Sequence, residues 1–195
     1  MSLSIIANDK LTDKNTVHSY LPLYEEILKD YKETFKVVLE IGIFFGGSIQ
    51  LWNDYFTNAT IIGIDIMTKD NYINNNNYSI KILNNDKVNL LFETNAYDDN
   101  LIATIKEKYD KLDFVLDDGP HTLESMQYFV NRYSQLLSDN GILILEDIQD
   151  ISWVNEIIKF IPDYLQDYVQ VYDLRPNKNR YDDIVLVINK NKKVR

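Results

Sequence analysis

Two pairs of adjacent acidic residues stand at the ends of apolar runs in the second half of the chain. Asp117 and Asp118 end one run, and Glu146 and Asp147 end the next. Carboxylates that converge repel one another and become partly protonated unless a cation joins them. Mg²⁺ takes carboxylate oxygens and keeps water or substrate oxygens in its other positions. The pairs therefore indicate a divalent-cation site if their strands are neighbours, or else acids that cap the following helices.

A histidine follows the first acidic pair. His121 lies three residues beyond Asp118 and directly after Pro120, a residue type favoured at the first helical position. We therefore expect its imidazole at the positive end of a helix, where the dipole and a nearby cation both disfavour protonation. A neutral imidazole near pH 7 is what general-base catalysis needs. The alternative is an ordinary surface histidine.

A glycine-rich turn marks the first half of the chain. It has the pattern E-x-G-x-x-x-G-G from Glu40 to Gly47, after an apolar run that predicts a buried parallel strand. Ligands of open α/β sheets bind outside the carboxyl ends of the strands. A dinucleotide fingerprint would need a glycine where Phe44 stands, which disfavours a nicotinamide cofactor. The ring and the carboxylate suit a positively charged cofactor without phosphate, such as S-adenosylmethionine.

An acidic residue also ends the second predicted strand. Asp65 follows the glycine turn by about two dozen residues. In nucleotide-binding α/β folds, an acidic residue at this spacing accepts hydrogen bonds from both ribose hydroxyls. We predict that Asp65 binds the cofactor ribose. The alternative is an aspartate that caps a helix.

Strands and helices alternate along the chain, which predicts a parallel sheet covered by helices on both faces. The run Asn74–Asn77 predicts a surface loop. The predicted strands are Lys36–Ile41, Thr60–Ile66, Val88–Glu93, Leu112–Leu116, Ile142–Leu145, Tyr168–Asp173 and Asp183–Asn189. The predicted helices are Leu21–Tyr31, within a helical spacing that extends from Val17, and Gly47–Phe56, Asp98–Tyr109, His121–Leu137 and Ser152–Ile161.

The composition is that of a globular protein, with 45% hydrophobic and 26% charged residues. A net charge of −10 argues against a nucleic-acid partner, because no basic stripe is present to meet phosphates. The absence of cysteine fits a reducing compartment. We see neither a signal-peptide pattern nor a membrane-spanning run, and we expect a cytoplasmic protein that does not bind membranes.

Together, these motifs resemble a known family. The pattern E-x-G-x-x-x-G-G resembles the first motif of class I S-adenosylmethionine-dependent methyltransferases. Asp-Asp-Gly-Pro-His at 117–121, followed by Asn-Gly-Ile-Leu-Ile-Leu-Glu-Asp at 140–147, resembles the metal-dependent sugar O-methyltransferases of macrolide pathways. Thr12-Asp13-Lys14 with His18-x-Tyr20 resembles a stretch ahead of the sheet in related proteins. Pro120 and Asn140 depart from the family's usual serine and glycine.

The resemblance implies a Rossmann-like class I fold with a mostly parallel seven-stranded sheet. We expect one domain over 1–195, with an N-terminal helical cap at 1–33 and the core at 34–195. Because the family places the fourth and fifth strands side by side, their ends would lie about 5 Å apart. Mg²⁺ or another divalent cation would then bind Asp118, Glu146 and Asp147, and His121 would deprotonate the acceptor.

The resemblance also implies the remaining sites. The acceptor would be a hydroxyl of a sugar, a nucleotide-sugar or a related small molecule, and homo-oligomerisation is left open. His18, Tyr20 and Trp153 are candidates for the acceptor pocket, or else for core and rim positions. The predicted contacts of S-adenosylmethionine are Glu40, Gly42, Gly46, Gly47, Ser48, Asp65, Ile66, Asn95, Ala96, Tyr97 and Asp117.

Two other functions fit the same residues. A catechol-type O-methyltransferase would use the same metal for an aromatic diol and would need a flat hydrophobic slot over it. A non-catalytic binding protein would keep the fold without turnover. The combination of Asp118, His121, Glu146 and Asp147 counts against that second alternative, because a scaffold has no physical reason to keep repelling acids adjacent.

Overall fold

The computed structural model describes residues 1–74 and 80–194 of the chain. Seven strands form a sheet in the order β3-β2-β1-β4-β5-β7-β6, and the last strand in sequence runs antiparallel to both of its neighbours. This is the mostly parallel α/β sheet predicted from the sequence. The strands are β1 Val37–Ile41, β2 Thr60–Ile64, β3 Val88–Leu91, β4 Leu112–Asp117, β5 Leu137–Leu145, β6 Val169–Asp173 and β7 Ile184–Asn189.

Eight α-helices accompany these strands within the described residues. Short 3-10 turns cover Lys29–Tyr31, Ile80–Asn84, Tyr133–Leu136 and Asp163–Tyr168. The helices are α1 Leu3–Ile6, α2 Tyr20–Leu28, α3 Gly47–Tyr55, α4 Lys69–Asn74, α5 Asp99–Tyr109, α6 Leu123–Arg132, α7 Trp153–Ile158 and α8 Arg175–Lys178.

The chain divides into two compact units, Met1–Ala96 and Tyr97–Arg195. In the first unit, β1 pairs in parallel with β2, and β2 with β3. Strands β1 and β2 are almost wholly buried, as expected for parallel strands rich in branched apolar residues. The division of the chain into a cap at 1–33 and a core at 34–195 stays a prediction.

In the second unit, β4 pairs in parallel with β5, and β5 pairs antiparallel with β7. The register between β4 and β5 shifts between Leu112 and Phe114, where residues 138–141 of β5 are accommodated as a bulge. The sequence places Asn140 and Gly141 between the predicted helix ending at Leu137 and the predicted strand Ile142–Leu145. They lie within β5 instead, which begins at Leu137.

The helix after β4 begins later and ends earlier than predicted. It starts at Leu123, because Thr122 caps it: the Thr122 hydroxyl accepts from the Ser125 N–H, and the Ser125 hydroxyl accepts from the Thr122 N–H. This reciprocal cap satisfies two free N–H groups of the first turn. His121 therefore lies ahead of the helix, and the prediction of a helix over His121–Leu137 is wrong at both ends.

The predicted asparagine loop lies partly outside the described residues. Asn74 ends α4, and the prediction at residues 75–77 is not covered by the described ranges. Across residues 1–74 and 80–194, no helix has both the length and the apolar character needed to cross a bilayer.

Candidate active site

Residues with left-handed backbone angles follow several of the strands. Gly42 (φ 92°) and Phe44 (φ 44°) follow β1, and Glu93 (φ 50°) follows β3. His121 (φ 53°) follows β4, and Asp147 (φ 52°) follows β5. Such angles are costly for residues other than glycine, and they concentrate where function requires an unusual backbone. Four of these five positions, all except Glu93, lie in motifs singled out in the sequence.

Asp65 holds the turn after β1 in the first unit. One of its carboxylate oxygens accepts from the backbone N–H groups of Ile43 (2.8 Å) and Phe44 (3.2 Å), and the other accepts from Met67 N–H (2.8 Å). A carboxylate has about four acceptor positions, so three are already used within this turn. Ribose binding by Asp65 stays a prediction, and the structure adds a role in shaping the turn.

The two adjacent glycines of the motif are explained by packing within the chain. A Cβ on Gly46, which has φ 76°, would meet the hydroxyl of Tyr72. A Cβ on Gly47 would meet the backbone of Leu11. The segment ahead of α2 therefore runs directly against the start of α3, and a side chain at Gly47 has no room. Cofactor contacts at these glycines stay predictions.

Glu40 belongs to a buried polar network. Its carboxylate accepts from the indole N–H of Trp52 (2.9 Å) and lies 3.6 Å from the ammonium of Lys14. The side chains of Lys14 and Glu40 are 2% and 0% exposed. Sequence reasoning missed Lys14 as a partner of the motif acid. The signal was present, because Lys14 belongs to the Thr-Asp-Lys stretch that carried part of the family resemblance.

Two apolar side chains near the ends of β1 and β2 remain exposed. Phe44 is 60% exposed and Ile66 is 76% exposed. Their segments are connected, because the carboxylate of Asp65, the residue before Ile66, accepts from Phe44 N–H at 3.2 Å. Of the remaining cofactor candidates on this unit, Ser48 and Ala96 are buried and Asn95 is exposed.

The predicted acceptor-pocket residues are placed differently from one another. His18 is buried and stacks on Tyr20, with the ring centroids 4.8 Å apart. Tyr20 is fully buried and stacks in turn on Tyr24, which fits the core alternative. Trp153, in the second unit, is half-buried at the start of α7.

A cluster of metal-binding groups lies in the second unit. Asp118, His121 and Asp147 each offer a ligand atom, and these atoms all lie within 4.8 Å of one another. The Nε2 atom of His121 is 3.2 Å from Asp118 Oδ1 and 3.5 Å from Asp147 Oδ2. The structure thus brings together two of the three predicted metal ligands and the predicted base. Glu146, the third predicted ligand, is fully buried and is not part of this cluster.

The environment of His121 differs from the one predicted. Burial lowers the pKa of His121, but the hydrogen bond to Asp118 and the negative charges of Asp147, Asp118 and Asp117 outweigh burial, so the pKa is raised. The expectation that a helix dipole keeps the imidazole neutral is wrong, because the helix begins beyond Thr122. A divalent cation bound to these carboxylates would reverse the balance and favour the neutral ring.

Asp117, predicted to contact the cofactor, is buried at the end of β4. It accepts from the Tyr97 hydroxyl (2.7 Å) and from Gly119 N–H (3.1 Å). Burial raises the pKa of Asp117 to about 7, against the lowering effects of the Tyr97 hydrogen bond and the charge of His121. Tyr97, predicted beside the adenine, is thereby hydrogen-bonded to Asp117, the residue that precedes Asp118 of the metal cluster.

A side chain that the sequence did not single out supports Asp147. The amide nitrogen of Gln149 donates to the backbone carbonyl of Asp147 at 2.9 Å. The same bond fixes a residue whose backbone is left-handed and whose carboxylate belongs to the cluster. No motif in the sequence pointed to Gln149.

The strand order with an antiparallel seventh strand is the class I methyltransferase fold. The solved MycE methyltransferase from the mycinamycin biosynthetic pathway, in complex with Mg and SAH, shares this fold with a TM-score of 0.73. The match covers 97% of this chain and 54% of that one, at 19% identity. A solved spermidine synthase shares it with a TM-score of 0.59 at 14% identity, covering 86% of this chain and 58% of its own. Because the fold hosts more than one reaction, function has to be argued from the site.

Proteins of similar sequence include sugar O-methyltransferases, the kind of protein that the motifs resemble. Mycinamicin VI 2''-O-methyltransferase of Micromonospora griseorubida is 25% identical over 144 residues, which cover 70% of this chain and 33% of that protein. A tetracenomycin-C rhamnosyl 2'-O-methyltransferase of Streptomyces olivaceus is 24% identical over 152 residues, covering 73% and 36%. The chain thus spans about a third of the length of the curated relatives it matches. No family model matches the chain.

Proposed function

We propose that this chain is an S-adenosylmethionine-dependent O-methyltransferase that uses a divalent cation and methylates a hydroxyl of a sugar-bearing small molecule. The observation that carries the proposal is the cluster of Asp118, His121 and Asp147, whose ligand atoms lie within 4.8 Å of one another at the ends of neighbouring strands β4 and β5. It combines hard oxygen ligands with a base at one place.

The donor set fits Mg²⁺. Two carboxylates are the number that Mg²⁺ commonly takes from a protein when its other positions hold water or substrate oxygens. Asp118 and Asp147 would hold the ion, with Asp117 and Glu146 buried behind them. When bound, the cation would polarise an acceptor oxygen and lower the pKa of its hydroxyl.

His121 is placed to take the proton of that hydroxyl. Its Nε2 lies within hydrogen-bond reach of one of the proposed ligands, Asp118, and so faces the position where an acceptor oxygen would be held. His121 has a left-handed backbone (φ 53°), and its ring lies against the carboxylates of Asp118 and Asp147. We propose that His121 is the general base.

The residues that we propose as the cofactor site lie in the first unit. The exposed side chains of Phe44 and Ile66 are apolar surfaces that an adenosyl group would cover. The carboxylate of Asp65 holds the turn after β1, to which Phe44 belongs. Glu40 is enclosed with Lys14 and Trp52, so we assign it a positioning role beneath the turn. A small-molecule acceptor and a cytoplasmic location belong to the same proposal. The net charge of −10 disfavours a nucleic-acid acceptor.

Calorimetric titration of S-adenosylmethionine into the protein, with Mg²⁺ and with EDTA, tests the cofactor part. Binding under both conditions is expected, since the proposed cofactor and metal residues are separate sets. Methyl transfer to neutral glycosides should then require Mg²⁺. If the cofactor binds under neither condition, the proposal fails.

The Asp147→Asn variant tests the metal part. Asparagine tolerates a left-handed backbone, so the variant removes charge without adding strain at φ 52°. We expect Mg²⁺-dependent turnover to fall while cofactor affinity is retained. The control is Asp139→Asn, which changes an exposed acid of the same unit. Equal behaviour of the two variants would contradict the metal assignment.

A further inference from the structure

The proposed metal ligand Asp147 lies in a short segment after β5 whose backbone is held on both sides. The N–H of Glu146 donates to the carbonyl of Asp117 at 3.1 Å, and the N–H of Ile148 donates to the carbonyl of Ile184 at 3.2 Å. Between these two bonds, Asp147 has a left-handed backbone with φ 52°. A non-glycine residue keeps such a backbone only where its surroundings determine it. The groups that bind the backbone of Asp147 therefore help to fix its carboxylate.

The side chain of Gln149 binds this backbone directly. Its amide nitrogen donates to the carbonyl of Asp147 at 2.9 Å. Its amide oxygen accepts from the hydroxyl of Tyr181 at 3.0 Å. One amide is thus held at both ends, and Gln149 cannot turn away from Asp147 without also losing its bond to Tyr181.

Tyr181 lies in the loop between β6 and β7 and is held in turn. Its ring is 62% exposed, but the guanidinium of Arg180 lies 5.7 Å from the ring centroid. Arg180 donates to the carboxylate of Asp182 at 2.8 Å, and the side chain of Asp182 is only 8% exposed. A guanidinium that is fixed by a buried carboxylate supports the ring from one face. The loop therefore presents the Tyr181 hydroxyl to Gln149 from a defined position.

Resting on the proposed function, we propose that Gln149 and Tyr181 are positioning residues for the divalent cation. Tyr181 orients the amide of Gln149, and Gln149 holds the backbone of Asp147 so that its carboxylate stays beside Asp118 and His121. Removing an outer group that orients a metal ligand typically weakens metal binding by about tenfold to a hundredfold. Because Gln149 binds the carbonyl of Asp147 and not its carboxylate, we expect the lower end of that range.

Binding of Mn²⁺ to the full chain tests the proposal without requiring turnover, because electron paramagnetic resonance measures the free ion directly. Gln149→Met keeps the length of the side chain, removes both hydrogen bonds and should weaken Mn²⁺ binding by about tenfold. Tyr181→Phe keeps the ring, removes only the outer bond and should weaken it by about twofold to fivefold. The control is Gln135→Met, which removes a bond of the same kind, from a side-chain amide to the carbonyl of Asn131 at 2.8 Å.

The double variant separates a relay from two independent effects. If Tyr181 acts through Gln149, adding Tyr181→Phe to Gln149→Met should weaken Mn²⁺ binding no further. Calorimetric titration of S-adenosylmethionine on the same samples should give the wild-type affinity in every variant. A general loosening of the structure would instead lower both affinities together.

Each outcome decides the proposal. Weaker Mn²⁺ binding in Gln149→Met and Tyr181→Phe, with wild-type binding in Gln135→Met, supports it. Wild-type binding in Gln149→Met, additive effects in the double variant, or a parallel loss of cofactor binding overturns it. If Gln149→Met does not fold, Tyr181→Phe decides by itself. A wild type that binds no Mn²⁺ refutes the metal site of the proposed function, whereas equal binding by the wild type and Gln149→Met refutes only the role of Gln149.

Discussion

Removing the ammonium of Lys14 should destabilise the first unit strongly, although Lys14 lies in no helix or strand. The ion pair with Glu40 spans 3.6 Å and is almost fully buried. Coulomb's law at an effective dielectric constant of about 20 gives roughly 4–5 kcal/mol for that separation. Breaking a buried pair by removing one partner costs about 3–5 kcal/mol. Lys14→Met should therefore lower Tm by roughly 6–20 °C at this chain length.

Thermal unfolding followed by circular dichroism measures this effect. The double variant Lys14→Met/Glu40→Gln removes both charges while keeping an acceptor for the Trp52 indole, and it should recover much of the loss. Lys10→Met, an exposed lysine of the same segment, is the control. If Lys14→Met changes Tm by no more than that control does, the pair contributes little and the reasoning is refuted.

Three further predictions concern other sites. His121→Asn should lower turnover by roughly 10²–10⁴-fold with cofactor affinity unchanged, measured by initial rates and calorimetry; a loss of cofactor binding would show a structural role instead. Because the pKa of Asp117 is raised to about 7 and that of His121 is also raised, the folded state holds these protons after the unfolded state has released them. In EDTA, Tm should therefore fall as the pH rises from about 5 to 7, and Asp117→Asn should weaken that dependence. The same dependence of Tm on pH in the variant and the wild type would contradict this prediction. Gly47→Ala should cost about 1–3 kcal/mol in urea unfolding, because its Cβ meets the Leu11 backbone, and a neutral result would mean that the segment yields.

Much of the architecture follows from local patterns. Runs rich in apolar residues located all seven strands, although β6 is only partly buried. The acidic ends of the parallel strands located the candidate site, because parallel strands are apolar on both faces and end at a common edge. The start of α6 was misplaced because Pro120 was read as a helix start. The Thr122–Ser125 cap is the stronger determinant there.

The details of the site depend on contacts that the sequence does not display. Of each acidic pair, one member belongs to the cluster and the other does not, as Asp147 and Glu146 illustrate. Strand alternation does not decide which acid joins the cluster, because Asp118, Glu146 and Asp147 lie beyond the ends of β4 and β5 and Asp147 has a left-handed backbone. The contact of Lys14 with Glu40 joins residues distant in sequence.

The contacts of Leu11 with Gly47 and of Lys14 with Glu40 link the ordering of the N-terminal segment to that of the turn after β1. We expect that whatever stabilises the turn also stabilises the segment, because the two are in direct contact. A ligand that binds the turn would therefore slow both amide hydrogen exchange and protease cleavage within residues 8–18. The first residues of the chain would report occupancy of a site to which they contribute no ligand atom.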